Sequence, residues 1–152
     1  MKNNKKIFLD INVVIDFLEH SRRRHTKTVA LIKYLTGNDY NICISEDMLT
    51  TIYSISTNKK AVLLFLKTVA VHWQILHFGK ETIKDAITES LEKDSDLEDS
   101  LQCLCAVANG CDSLITHDKS FYDCGIKIYS AGEFLEKEDQ YLNKIDPDSR
   151  QP

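Results

Sequence analysis

The stretch Lys5-Lys6-Ile7-Phe8-Leu9-Asp10-Ile11-Asn12-Val13-Val14-Ile15-Asp16-Phe17-Leu18 decides the fold. Ile7, Phe8 and Leu9 form an unbroken apolar run, the pattern of a strand buried on both faces of a parallel sheet. Asp10 stops that run. Val13, Val14, Phe17 and Leu18 then recur at spacings of three and four, the period of a helix with one apolar face. Asp10 therefore stands at the carboxyl end of a strand, the edge at which open α/β sheets bind their ligands. The same position is a helix N-cap, and capping by Asp10 or Asn12 is the plain alternative.

Outward from this stretch the pattern alternates. Short apolar runs predict strands over residues 40–44, 73–76, 113–116 and 127–129. Between them, helical periodicity covers residues 26–36, 46–56, 61–71, 80–92 and 97–109, with a last helical turn at 131–136. Gly37 and Gly110 are read as helix stops. The segment 97–109 is apolar nearly all round and is expected at the centre of the molecule. Trp73 opens a strand and is expected in the core. Strands alternating with helices predict an α/β protein: three layers, α/β/α, around a central parallel sheet. Residues 1–136 read as one domain, and 137–152, polar with two prolines, as a flexible C-terminal tail.

Composition narrows the function classes. A chain of 152 residues, 43% hydrophobic and 28% charged, is ordinary for one globular domain. A net charge of −4 argues against a broad, sequence-blind coat on nucleic acid, but it leaves room for a local basic patch. Arg22-Arg23-Arg24, with His25 and Lys27 beyond, is the strongest such cluster and a candidate contact for RNA phosphates, with a solvated loop as the alternative. Asp10 interrupts the first apolar run, so no signal-peptide core is expected. No apolar run reaches membrane-spanning length, so the expectation is a cytoplasmic protein without a membrane. The five cysteines, Cys43, Cys103, Cys105, Cys111 and Cys124, include no Cys-x-x-Cys pair. They are expected to be free thiols rather than zinc ligands or disulfide partners.

Four carboxylates share a topological address. Asp10 ends the first strand, and Asp118 closely follows the run Ser113-Leu114-Ile115-Thr116. Asp96 and Asp99, three apart, lie at the start of the apolar helix and share one face of it. In a parallel sheet, strand ends and the starts of the following helices lie along one edge, so Asp10, Asp96, Asp99 and Asp118 can converge. Crowded carboxylates raise one another's pKa, and a hard cation such as Mg²⁺ or Mn²⁺, which prefers oxygen ligands, relieves the repulsion. Such an ion activates water and stabilises charge on a phosphoryl group, which points to hydrolysis of a phosphodiester.

On these residues the chain resembles the PIN domain family. Phe8-Leu9-Asp10-Ile11-Asn12-Val13-Val14-Ile15-Asp16 is similar to the family's opening motif of apolar strand, Asp, and a polar residue two positions on. Asp96-Leu97-Glu98-Asp99-Ser100-Leu101-Gln102 resembles the segment with its third acidic position, here Asp99. Leu114-Ile115-Thr116-His117-Asp118-Lys119-Ser120-Phe121 resembles its closing motif, with the fourth acidic position at Asp118. The run Ile128 to Leu135 is similar to its final strand and helix. The resemblance implies a PIN-like α/β/α fold and an Mg²⁺- or Mn²⁺-dependent endoribonuclease with Asp10, Asp99 and Asp118 as catalytic residues. It also implies an RNA substrate, kinship with VapC-like toxins, an antitoxin protein as partner, and a homodimer.

One position departs from the pattern. The family carries a Glu inside the helix after the second strand, and aligning Ile42-Cys43-Ile44-Ser45 with that strand puts Thr51 there. Thr51, with Glu46 or Asp47 at the start of the same helix and Asn12 beside Asp10, is therefore a supporting candidate. His117 is expected as a surface histidine. The alternative function is a catalytically degenerate PIN-like module that binds RNA or protein, the reading Thr51 favours. A phosphotransferase of the haloacid-dehalogenase type is more distant, because it requires a second Asp where this chain has Asn12.

Overall fold

The structure, a computed structural model, describes residues 4–145. In chain order the elements are β1 (Lys6–Leu9), α1 (Ile11–Leu18), α2 (His25–Gly37), β2 (Asn41–Ser45), α3 (Asp47–Ile55), α4 (Lys59–His72), β3 (Gln74–Leu76), α5 (Lys80–Lys93), α6 (Leu97–Ala108), β4 (Ser113–Ile115), β5 (Lys127–Tyr129) and α7 (Ala131–Ile145). All five strands are parallel, in the order β3-β2-β1-β4-β5. Phe8 of β1 pairs with Cys43 of β2 on one side and with Leu114 of β4 on the other. β1 is therefore the central strand, and its Ile7, Phe8 and Leu9 are at most 1% exposed, as the unbroken apolar run requires.

Chain order reverses at β1. The first three strands step away in one direction, and β4 returns to the other side of β1. By the right-handed rule for parallel crossovers, this reversal puts α5 and α6 on the sheet face opposite α1 to α4. The carboxyl ends of β1 and β4 form the switch point, where an open parallel sheet leaves a crevice. α2 packs on α1 and α7, and α5 on α6.

Three features differ from the sequence reading. The final helix does not stop after one turn. α7 runs on to Ile145, because Glu138 is buried and its carboxylate accepts a hydrogen bond from the Tyr34 hydroxyl of α2 at 3.4 Å. The rest of the expected tail, 146–152, lies outside the described residues. Cys103 and Cys124 form a disulfide, which ties α6 to the loop after β4; sequence spacing cannot reveal such a pair, since the partners meet only through the fold. Finally, α2 includes Gly37 as its last residue, and the left-handed position after it is Asp39. Gly110, by contrast, takes the left-handed conformation that ends α6, as expected.

Candidate active site at the β1 and β4 carboxyl ends

Asp10 is the N-cap of α1 and is only 3% exposed. Its Oδ1 accepts the backbone N–H of Ile11 at 2.8 Å, and its Oδ2 accepts the Thr116 hydroxyl at 2.8 Å. Capping and site membership thus hold together rather than compete. The Thr116 hydroxyl also accepts the backbone N–H of Asp118 at 3.1 Å. One buried threonine at the end of β4 therefore joins the first acidic position to the last. Sequence reasoning treated Thr116 as a strand residue only; its place between a buried carboxylate and a loop amide was the missing signal.

Asp118 is gripped by Ser120, whose backbone N–H and hydroxyl both donate to Oδ1, at 2.9 and 2.7 Å. These two bonds favour the charged form and hold its carboxyl below the usual range. Asp10 and Asp99 are shifted the other way. Burial pushes Asp10 up to about 6 against its two hydrogen bonds, with Glu98 and Asp118 adding repulsion. Burial likewise pushes Asp99 up to about 7, with the charges of Asp96, Asp10, Asp118 and Glu98 adding to it. Asp10, Asp99 and Asp118 are thus within electrostatic reach of one another, Asp118 as a fixed anion, Asp99 titrating near neutrality and Asp10 keeping its proton to a higher pH than an ordinary carboxyl.

The remaining candidates fall around this core. Asp96 is exposed and caps α6, its Oδ1 accepting the Asp99 N–H at 3.1 Å. With Asp94, Glu98, Asp99, Asp118 and Ser120 it lines an open acidic recess. Glu98, which the sequence reading passed over, is raised by burial and by the charge of Asp47. Asp47 in turn accepts the Ser45 hydroxyl at 2.5 Å. Thr51 is exposed on the same face of α3 one turn further on, and its hydroxyl donates back to the Asp47 carbonyl at 3.3 Å. Glu46 is turned to His77, 2.9 Å away. Of the three polar candidates on this helix, Asp47 is the one whose charge reaches the acidic group. Asn12 is exposed and lines a groove with Arg23, Arg24 and Asp118, and no hydrogen bond among the described residues joins it to Asp10.

His117 is not a surface residue. Its side chain is 5% exposed and its Nδ1 lies 2.6 Å from Oδ2 of Asp16. Arg22 donates from Nε to Oδ1 of the same Asp16 at 2.5 Å, and Arg24 donates from Nη1 to the His117 carbonyl at 2.7 Å. The arginine cluster is therefore fastened beside Asp118, and Arg22 is spent on a buried partner.

The donor set suits a hard divalent cation in its chemistry, since every group is a carboxylate oxygen and two of the carboxylates hold protons that a cation would displace. Among the described residues no three Asp, Glu, His or Cys side chains are already drawn together as a chelating set.

An all-parallel sheet with a carboxylate at each of the two strand ends flanking its switch point, and a third on the helix between, defines a class of acid-lined α/β/α domains. The chain belongs to the PIN domain family, whose sequence profile matches residues 6–120. It is 36% identical over 140 residues to ribonuclease VapC1 of Aquifex aeolicus (strain VF5), a match that spans 89% of this chain and 96% of that protein. The fold is similar to VapC20 of Mycobacterium tuberculosis, a Sarcin-Ricin loop cleaving toxin, with TM-score 0.66 and 13% identity over 79% of this chain and 95% of that one. It is also similar to VapBC2 from Rickettsia felis bound to a DNA fragment from their promoter, with TM-score 0.64 and 17% identity over 82% of this chain and 98% of that one.

Proposed function

We propose that the chain is a metal-dependent endoribonuclease of the toxin type, with Asp10, Asp99 and Asp118 as its catalytic residues. The observation that carries this reading is the Thr116 hydroxyl linking buried Asp10 to the backbone of Asp118 at the switch point, beside Asp99 on α6. The 36% identity to a ribonuclease over nearly the whole chain supports it.

Asp10, Asp99 and Asp118 would hold Mg²⁺ or Mn²⁺, with Asp96 at the rim. When bound, such an ion supplies an activated water and charge stabilisation at the phosphorus. The chain's own residues do the rest. Thr116 and the Ile11 N–H fix the direction in which Asp10 presents its oxygens. Ser120 keeps Asp118 ionised, so a permanent negative charge faces the pocket. Asp99, pushed up to about 7 by burial and by its acidic neighbours, would give up its proton to the cation and ligate it as the carboxylate. Arg23 and Arg24 flank Asp118 along one groove and would take the phosphates beside the scissile bond. Similar folds solved as toxin–antitoxin complexes support an antitoxin protein as partner. The reading also includes a homodimer.

A second reading, a non-catalytic RNA- or protein-binding module, is favoured by Thr51 alone. Cleavage of single-stranded RNA by the purified protein with Mg²⁺, Mn²⁺ or EDTA separates the two. Metal-dependent cleavage lost in Asp10→Asn is expected. RNA binding without cleavage under every condition would establish the second reading.

A further inference from the structure

We propose that Asp16 is a positioning residue: it sets where the RNA backbone lies relative to Asp118, without itself entering the carboxylate pocket. This rests on the ribonuclease reading and deepens it.

Asp16 sits on the buried side of α1 and is 4% exposed. An apolar residue would fill such a place at no desolvation cost, and buried ion pairs are weak sources of net stability. The position instead carries a carboxylate with every polar handle in use. Oδ1 takes Arg22 Nε and Oδ2 takes His117 Nδ1, while the main-chain carbonyl lies 3.0 Å from Nδ1 of His25. The Arg24 guanidinium closes the circuit on the His117 carbonyl. Four segments meet on this one residue: α1, the connection after it, the start of α2, and the exit of β4.

The consequence is a division of labour among the cations. Arg22 is neutralised by Asp16, so it is a strut. Arg22, Arg23 and Arg24 all line the groove that runs to Asn12 and Asp118, but only Arg22 has its guanidinium on the Asp16 carboxylate; Arg23 and Arg24 also line the adjoining recess with Lys27, Asp118 and Lys119. Asp118 follows His117 directly, so the bond from Asp16 to His117 fixes the catalytic carboxylate and the phosphate-binding arginines in a single frame. A nucleic-acid strand is read by phosphate contacts that set its register. Moving the arginines relative to Asp118 therefore moves the scissile phosphate away from the reacting site.

The test is a double-mutant cycle on the full-length protein. Affinity for a short single-stranded RNA is measured by fluorescence anisotropy in EDTA, and kcat and KM are measured with Mn²⁺. Asp16→Asn removes the charge, and Asp16→Glu keeps it but displaces it by one methylene. Either variant is expected to weaken RNA binding and raise KM by roughly tenfold, with Mn²⁺ affinity unchanged within roughly twofold. Arg24→Gln is expected to cost roughly fivefold in RNA affinity in the wild type and almost nothing in the Asp16→Asn background, the signature of coupled residues. Additive losses, RNA affinity within twofold of wild type, or a parallel loss of Mn²⁺ affinity would each overturn the proposal. Should one variant not fold, the other carries the cycle. A wild type that binds RNA but does not cleave it removes the ribonuclease reading and leaves this coupling to be read from affinities alone. A wild type that does not bind RNA removes both.

Discussion

Two carboxylates on the same turn-and-helix segment, Asp10 and Asp16, are equally buried, at 3% and 4% exposure, yet they live in opposite electrostatic company. Asp16 has an arginine and a histidine within 2.6 Å. Asp10 has only neutral donors, an amide and a hydroxyl, and its charged neighbours are the anions Glu98 and Asp118. Burial with a cation at hand makes a brace. Burial without one pushes the group toward its protonated form and, on the proposed function, makes it a ligand for a cation.

The largest expected effect follows from removing the uncompensated member. Asp10→Asn abolishes metal-dependent RNA cleavage, yet raises the stability of the metal-free protein by about 0.5–2 kcal/mol at about pH 8, because it relieves repulsion among crowded carboxylates. Cleavage assays and thermal melts in EDTA check both halves. An unfolded variant would mean that Asp10 holds the fold rather than the site, and would break the comparison.

Removing the cation from the compensated member works the other way. Arg22→Gln leaves the buried Asp16 carboxylate with His117 as its only ionisable partner among the described contacts. A loss of about 1–3 kcal/mol in urea denaturation is expected.

The pH dependence sharpens the contrast. Asp10 and Asp99 titrate in the folded protein at about 6 and about 7, above their ordinary value of 3.8. The folded state therefore holds their protons more tightly than the unfolded chain. The stability they contribute is fully present below about pH 4 and is lost as pH rises through about 6 to 7. For Asp10 alone the loss is at most about 3 kcal/mol. In EDTA, melting temperature should fall from about pH 5 to about pH 8, and Asp10→Asn should flatten the fall. A melting temperature that rises over this window in wild type would contradict the assignment.

The smallest effect concerns the departure on α3. Asp47, whose charge reaches Glu98, would on the proposed function take over part of the role of the Glu expected where Thr51 stands. Calorimetry should show Mn²⁺ affinity falling roughly tenfold in Asp47→Asn, and Thr51→Glu changing it by no more than about threefold. A tenfold gain in Thr51→Glu would instead mean that position 51 turns into the pocket when metal binds.

Most of the fold was legible because its strands are uniform. Ile7 to Leu9, Ile42 to Ile44 and Leu114 to Ile115 are buried on both faces, so their apolar runs carry no ambiguity of side. That Asp10, Asp99 and Asp118 lie within reach of one another's charge was legible by address, since strand ends and helix starts share an edge. What sequence could not show were relations between segments: the Thr116 bridge, the Asp16 brace that buries His117, and the Cys103–Cys124 disulfide all join residues that only folding brings together. The length of α7 was missed because its anchor, Glu138, is a charged residue whose burial depends on Tyr34 of another helix.

Proton release on metal binding tests the central claim, that Asp10 and Asp99 hold protons in place of a cation, most directly. Mn²⁺ is titrated into wild type and Asp10→Asn at about pH 6 in two buffers of different ionisation enthalpy. With Asp10 half protonated and Asp99 mostly so, wild type should release roughly one to one and a half protons per ion. Asp118, already ionised, should release none. Asp10→Asn should release about half a proton less. Binding heats identical in the two buffers would contradict the account, because the carboxylates would then be ionised before any cation arrives.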